Sequence, residues 1–400
     1  MTDATPVPQG LPMERQCPFS PPRGLVELRD QRPVSRMTYP DGHEGWLVTG
    51  HAQAREVLAN PRFSSRGDLA RAPIPTGPMA EGTRRFIPRG ALTRMDPPEH
   101  TRYRRLLTGE FTVRRMRLLE PMIQGIVDHQ LDLMAGGDQP ADLVADFALP
   151  VPSLVICALL GVPTTDRPLF ERETRTLFSL DTPVEDRNDA LRSLGAYLGR
   201  LVADKRANPR DDLLSGLVAG GQLDDEELAT MGMVLLVAGH ETTANMLAHG
   251  VFALLRHPDQ LALLRSDPAL LPDAVEELLR YLSVIHVGPI RTALDDIQLD
   301  GQLIRAGDSV TVSVPAANWD PTRFPEPDRL DITRRSTSHL AFGHGIHQCL
   351  GQQLARVEMR IGFGSLLGRF PGLRLAVEPD AVPLRSDMGI YGVHQLPVAW

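Results

Sequence analysis

Apolar residues recur at helical spacing over most of this chain, and strict alternation is confined to a few short stretches. His51 to Asn60 puts Ala54, Val57 and Leu58 on one helical face. Met116 to Gly136 and Asp142 to Gly161 read as longer helices. Pro150-Val151-Pro152 interrupts the second, and Val162-Pro163 ends it. Thr165 to Asn208 reads as two helices broken near Asp181-Thr182-Pro183. The strongest pattern runs from Asp224 to His257. Its start, Asp224-Asp225-Glu226-Glu227, suits a helix N-terminus, and its almost wholly apolar middle, Met231 to Ala238, predicts passage through the core. Short helices are expected from Leu25 to Arg29, after His257-Pro258 and over Asp273 to Leu282, and a long one over Leu350 to Phe370. Val34 to Val48 reads as two strands about the Tyr39-Pro40-Asp41-Gly42 turn. Ser283 to Arg291 reads as an irregular strand. Ile297 to Val314 reads as β structure, with a turn at Asp300-Gly301 and alternation through Val310, Val312 and Val314. A β-like tail closes the chain after Phe370. The fold class is mainly α with smaller β regions.

Two stretches lack periodicity. Met1 to Pro22 is rich in proline and polar residues and reads as an extended tail. Pro61 to Arg94 carries Pro73, Pro75, Pro78 and Pro88, and Gly67, Gly77, Gly82 and Gly90. A loop of that length in a compact domain reads as a lid or binding loop. There is no repeat, charge block or low-complexity segment. The 400 residues have length enough for two or three domains, and the apolar pattern alone does not decide the number.

Charge and cysteine content narrow the class. The formal charge is −8, from 42 basic and 50 acidic residues, so no nucleic-acid partner is expected. The 3 cysteines show no regular spacing, which fits a reducing cytoplasm better than a disulfide framework. The N-terminus has no basic-then-apolar signal pattern, and no apolar run is long enough to cross a membrane, so a cytoplasmic protein without membrane contact is expected.

Four polar groupings stand out against the apolar pattern. Ala238-Gly239-His240-Glu241-Thr242-Thr243-Ala244-Asn245 puts a carboxylate and hydroxyls into an apolar central helix, which is costly unless they serve something. Gly239 weakens that helix, as though something must approach its backbone. After Asp96-Pro97-Pro98, His100 and Arg104 share a helix face and could grip an anion. Glu277 and Arg280 form an i,i+3 pair. Finally, Phe342-Gly343-His344-Gly345-Ile346-His347-Gln348-Cys349-Leu350-Gly351 surrounds a cysteine with glycines just before a helix, where free N–H groups and the helix dipole favour a thiolate. Such a loop suits a sulfur anion held against a haem iron. A core thiol, or zinc on His344, His347 and Cys349, are the weaker readings, since no partner pair for zinc lies nearby. Cys157, among Val155, Ile156, Leu159 and Leu160, reads as core packing.

Phe342-Gly-x-Gly-x-His-x-Cys349-x-Gly351 resembles the haem-ligand loop of the cytochrome P450 family. The resemblance extends in order from about Val34 to Trp400, and it implies one domain over residues 34–400, preceded by the tail with its short helix, residues 1–33. It implies haem b held through Cys349, with His100, Arg104, Arg291 and His347 at the propionates, and with Ala238, Gly239, Phe342, Gly343 and Gly351 around the ring. Glu241 and Thr242 match the acid–alcohol pair that manages protons during O2 activation, and Glu277 and Arg280 match a structural pair that locks with a later arginine, here Arg329. The Pro61–Arg94 loop would cover the substrate, and Phe170, Phe178 and Leu180 would roof it. His286, Val287 and Ile290 could face the substrate, and Met388 to Tyr391 could turn back into the pocket.

The function implied by this resemblance is that of a haem-thiolate monooxygenase that hydroxylates or epoxidises a small apolar substrate. Members from antibiotic-producing bacteria, which act on macrolides, polyenes, terpenoids or xenobiotics in secondary metabolism, are the most similar branch. No flavin or nicotinamide fingerprint is present. The resemblance therefore implies electrons from a ferredoxin and an NAD(P)H-dependent ferredoxin reductase, to an enzyme expected to be a monomer. Arg104, Arg105, Arg114, Arg115 and Arg356 are candidates to dock an acidic ferredoxin. A peroxygenase or isomerase, and a haem sensor or carrier, are the other readings. Neither needs the Glu241-Thr242 pair.

Overall fold

Period-3.6 and period-2 segments separate in space as they do along the chain. The structure, a computed structural model, describes residues 7–75 and 87–400. Its helices are α1 (Arg23–Gln31), α2 (His51–Ala59), α3 (Glu99–Thr108), α4 (Val113–Gly136), α5 (Pro150–Leu160), α6 (Arg167–Phe178), α7 (Val184–Ala207), α8 (Leu213–Gly220), α9 (Asp225–Arg256), α10 (Pro258–Ser266), α11 (Leu271–Leu282), α12 (Val314–Asn318) and α13 (Gln352–Arg369). The strands are β1 (Val34–Thr38), β2 (Glu44–Val48), β3 (Phe63–Ser64), β4 (Ala141–Asp142), β5 (Ile290–Ala293), β6 (Ile297–Leu299), β7 (Gln302–Ile304), β8 (Ser309–Val312), β9 (Arg374–Leu375) and β10 (Pro397–Ala399).

The main sheet has the order β1-β2-β8-β5-β3. The β1–β2 hairpin pairs Val34 with Val48 across the Asp-Gly turn, and β8 lies parallel to β2. Beside this sheet stands the helical part, centred on α9. Asp224 caps α9 and Glu227 reaches back to the Asp224 N–H, a capping box that fixes where the helix starts. Helices α5, α7 and α13 pack against α9, so its apolar residues are buried on several sides.

Some elements differ from the sequence reading. Pro150 and Pro152 open α5 after a π turn at Val144–Ala148, because a first-turn proline loses only an N–H that would be unbonded anyway. Val314 ends the strand alternation by starting α12, where Ser313 caps the Ala316 N–H. Helix α8 has no counterpart in the apolar pattern. At 8 residues it is too short for a periodic signal, and it is set by the Asp212 cap on Ser215 and by Gly221 at φ 65°. Within the Pro61–Arg94 stretch, β3 is a two-residue strand on β5, while Gly77, Pro78 and Gly82 lie outside the described residues. The tail is extended from Val7 onward and is tied to the body: Gly10 N–H donates to Thr38 (2.7 Å) and Leu11 N–H to Pro73 (2.9 Å).

Behind the cysteine loop lies a buried ionic knot. Glu277 accepts from Arg280 Nε (2.8 Å) and Nη2 (2.7 Å), and from Ser336 Oγ (2.7 Å). Arg280 Nη1 also donates to the carbonyls of Asn318 (3.0 Å) and Pro327 (2.9 Å). The second arginine of the knot is Arg334, with Nε 3.3 Å from Glu277 Oε1. This corrects the expectation for Arg329, whose guanidinium is exposed beside Glu326 and which contributes its carbonyl alone. Nearby, Trp319 stacks on Tyr281 and donates to its carbonyl (2.8 Å).

Candidate active site

Glycine shapes the cysteine loop at two positions. Gly343 and Gly345 have φ of 69° and 75°, a region side chains avoid, and a Cβ at 345 would lie 2.4 Å from the Leu58 carbonyl at the end of α2. Gly351 has an ordinary φ of −81° and caps α13. The loop is closed by Gly343 N–H to Leu340 O (2.8 Å) and Cys349 N–H to Phe342 O (2.8 Å), while Leu340 N–H donates to Asn318 Oδ1 (2.6 Å). Cys349 therefore sits deep in the protein on a rigid loop, with its surface opening onto a cavity of about 480 Å³. Burial pushes its thiol up, while the Gly351 N–H, Arg104 and Arg356 pull the other way, toward thiolate.

The same cavity collects basic side chains. His100 and Arg104 from α3, and His347 from the loop, line it. The His100 and His347 rings stand 4.2 Å apart between centroids. Both His100 ring nitrogens and Nε2 of His347 are buried without a hydrogen-bond partner. Burial holds both imidazoles below their ordinary range, His347 at about 3, with Arg104 opposing charge on each. Arg291 is 7% exposed and bonds only its neighbour's carbonyl, at Ile290 (2.9 Å). Desolvation lowers it to about 10. Among the described residues no carboxylate pairs with Arg104 or Arg291. A buried basic set without an acid is costly unless an anionic group completes it.

Opposite the loop, α9 presents Ala238, Gly239 and Thr242 to the cavity. A Cβ at Gly239 would come within 2.8 Å of Ile156, so the close approach expected at this glycine includes a neighbouring helix. Thr242 Oγ1 donates to the Ala238 carbonyl one turn back (3.1 Å). Glu241 is 4% exposed and ion-pairs with Arg385 of the C-terminal segment. His240 faces away, edge-on to Phe170 of α6. The remaining walls are apolar, among them Leu92, Ile156, Val234, Met246 and Val287.

Haem b would bring two carboxylates to the orphaned donors and an iron to the sulfur, and the donor set fits both ends of it. A family model described as Cytochrome P450 matches residues 184–387. Over 100% of both chains, the sequence is 50% identical to Cytochrome P450 105C1 of a Streptomyces species. The chain belongs to the cytochrome P450 family. This P450 is also 47% identical to Pentalenic acid synthase of Streptomyces avermitilis, over 98% of each chain. The crystal structure of CYP105P1 in complex with filipin I superposes with a TM-score of 0.92 at 46% identity, covering 99% of both chains. The fold is thus the P450 fold, the cofactor haem b and the enzyme class monooxygenase, whose members take electrons from redox partners and act with O2 on apolar substrates. No helix among the described residues is long and apolar enough to cross a membrane.

Several expected pocket residues of this P450 face elsewhere. Phe170 is fully buried against His240, and Phe178 bonds the C-terminal segment through its carbonyl. His286 turns behind the wall, beside Tyr391 (ring centroids 5.2 Å apart), because alternate residues of an extended segment face opposite sides. Residues 388–391 back the wall through the Ile285–Ile390 bridge. Two residues carry no usable sequence signal. Arg385 lies in the β-like tail, where a single arginine is unremarkable. Glu358 is a lone carboxylate on α13, and an isolated acid on a helix is usually a surface group.

Glu358 borders the cavity with Oε2 unbonded, and burial raises its carboxyl from about 4.5 to about 8. The unfolded chain releases this proton near 4.5 and the folded chain near 8, so stability should fall as pH rises between those values and level off above. The slope contribution is at most roughly 1.4 kcal/mol per pH unit. Unfolding midpoints across that window should decline more steeply for the wild type than for Glu358→Gln; parallel curves would contradict the assignment.

Proposed function

We propose that this P450 hydroxylates or epoxidises a large, mostly apolar small molecule of the macrolide, polyene, terpenoid or xenobiotic kind. The observation that carries the reading is a cavity lined by Cys349, by the donors His100, Arg104 and His347, which pair with no carboxylate among the described residues, and by apolar walls. Cys349 would ligate iron, and His100, Arg104, Arg291 and His347 would hold the propionates. Phe342, Gly343 and Gly351 would lie on the sulfur side of the ring, with Ala238 and Gly239 opposite. Bound haem supplies O2 activation and the oxidation itself. The chain's own part is to keep the sulfur as thiolate, to exclude water with apolar walls, and to hold and move protons at the Glu241 carboxylate and the Thr242 hydroxyl.

Apolar walls of this extent discriminate by size and shape. Two related P450 crystal structures are complexes with filipin I and with mycinamicin VIII, which supports bulky natural products as the class. A panel of polyenes, macrolides, terpenoids and small polar compounds should be screened by the shift of the Soret band of the haem-loaded protein. Bulky apolar members should shift the band at micromolar levels. A response confined to small polar compounds would overturn the substrate class.

Electrons would come from a ferredoxin and its NAD(P)H-dependent reductase, in the cytoplasm. Arg104 faces the cavity and Arg356 is held half-buried by Glu276 (2.6 Å), so the candidate docking set shrinks to Arg105, Arg114 and Arg115, the last in an exposed pair with Glu110 (3.3 Å). All three are exposed, and Arg114 and Arg115 follow Val113, which is 49% exposed. Arg114→Glu with Arg115→Glu should slow ferredoxin-driven reduction about tenfold or more at low salt and flatten its salt dependence. Unchanged rate and salt slope would remove this face from consideration.

A further inference from the structure

Glu241 is held by a part of the chain far from it in sequence. Arg385 Nη2 donates to Glu241 Oε1, and the two side chains are only 9% and 5% exposed. Among the described residues Arg385 pairs with no other carboxylate, and its Nε is buried without a partner. One turn along α9, Asn245 Nδ2 donates to the Glu241 carbonyl (2.8 Å) and lies 3.4 Å from Oε1. No protein group bonds Oε2 among the described residues.

Arg385 is not on a loose tail. Its N–H donates to the Gly392 carbonyl (3.0 Å), and Leu384 bridges Val393, so residues 384–393 form a closed hairpin. Gly392 lies directly against Asn245: a Cβ there would come within 2.3 Å of Oδ1. The far end is tied to the end of α6, through Leu180 N–H to Asp387 O (2.8 Å) and Gly389 N–H to Phe178 O (2.8 Å). The side is tied to the cavity wall, through Tyr391 N–H to Val284 O (2.8 Å).

We propose that this hairpin is the positioning element for the α9 acid next to the cavity-lining Thr242, and that Arg385 is a positioning residue for proton handling by Glu241. The inference rests on the reading of Glu241 as the proton-handling group. An unpaired carboxylate at this depth would take up a proton and hold it, and then could not accept another. Paired through Oε1, Glu241 is fixed in direction, with Oε2 left for the transfer. One proton arrives at Oε2 from water and one leaves it toward the hydroxyl side of the pocket. Arg385 keeps its proton throughout, so the pair ends as it began.

The test compares full-length, haem-loaded Arg385→Met, Arg385→Lys, Glu241→Gln and the double variant Glu241→Gln/Arg385→Met. Infrared spectra should show a new protonated-carboxyl band in Arg385→Met that is missing from the double variant. Product formed per NAD(P)H should fall on the order of tenfold in Arg385→Met, with a larger solvent deuterium effect, and recover most of the way in Arg385→Lys. If Arg385→Met does not fold, Arg385→Gln removes the charge with less loss of bonding and is read in the same way. No new band and unchanged coupling would overturn the proposal. Should Glu241→Gln itself leave coupling unchanged, the reading of Glu241 fails, and a band in Arg385→Met would then report an ion pair without a proton role and overturn the proposal with it.

Discussion

Glu277→Ala should cost the fold about 3–5 kcal/mol, a large share of the roughly 5–15 kcal/mol that holds a domain together. Glu277 and Arg280 are both 0% exposed at the side chain. Glu277 also accepts the Asp331 N–H (3.2 Å) and pairs with Arg334. Truncating it strands the Arg280 charge in the interior and frees the segment that leads into the cysteine loop. That segment carries Ser336, two residues before the Ser338-His339-Leu340 entry to the loop, so haem retention should fall with stability. The control is Arg329→Ala. Its guanidinium is 61% exposed, and removing it should change stability by no more than about 0.5 kcal/mol. Urea unfolding of both variants checks the pair. Equal effects would mean that Arg329, and not Arg334, closes the knot.

Cys349→Ala should reduce hydroxylation to the level of free haem while the protein still folds. No other cysteine can take over. Cys157 is buried in the core with its thiol pushed up to about 12, and Cys17 lies on the exposed tail. Neither borders the cavity. The loop is fixed by backbone bonds and by Gly343 and Gly345, and none of these needs the sulfur. Circular dichroism should therefore match the wild type while turnover is lost. Turnover retained at near wild-type rate would remove Cys349 from the chemistry.

Local patterns are readable wherever local forces decide structure. The Asp-Gly turn places β1 and β2, the acidic start places α9, and prolines place most helix starts. The cysteine loop is readable because positive φ at two positions demands glycine there. His100, Arg104, His347 and Cys349 line one cavity, while Arg291, grouped with them by the resemblance, is not among its lining residues. Long-range pairings leave no such local trace. Arg385 meets Glu241 across 144 residues, and nothing in its own neighbourhood marks it. Arg329 and Arg334 are indistinguishable by type, and only the turn of the chain decides which one reaches Glu277. His286 and Val287 are neighbours, yet the pleat sends one behind the wall and the other into the cavity.

Thiolate ligation by Cys349 is the central claim, and the most direct measurement is the absorption spectrum of the reduced, CO-bound protein, beside Cys349→Ala. A far-red-shifted Soret band in the wild type that vanishes in the variant is the predicted result. The same band in both, or a wild type that takes up no haem, would contradict it.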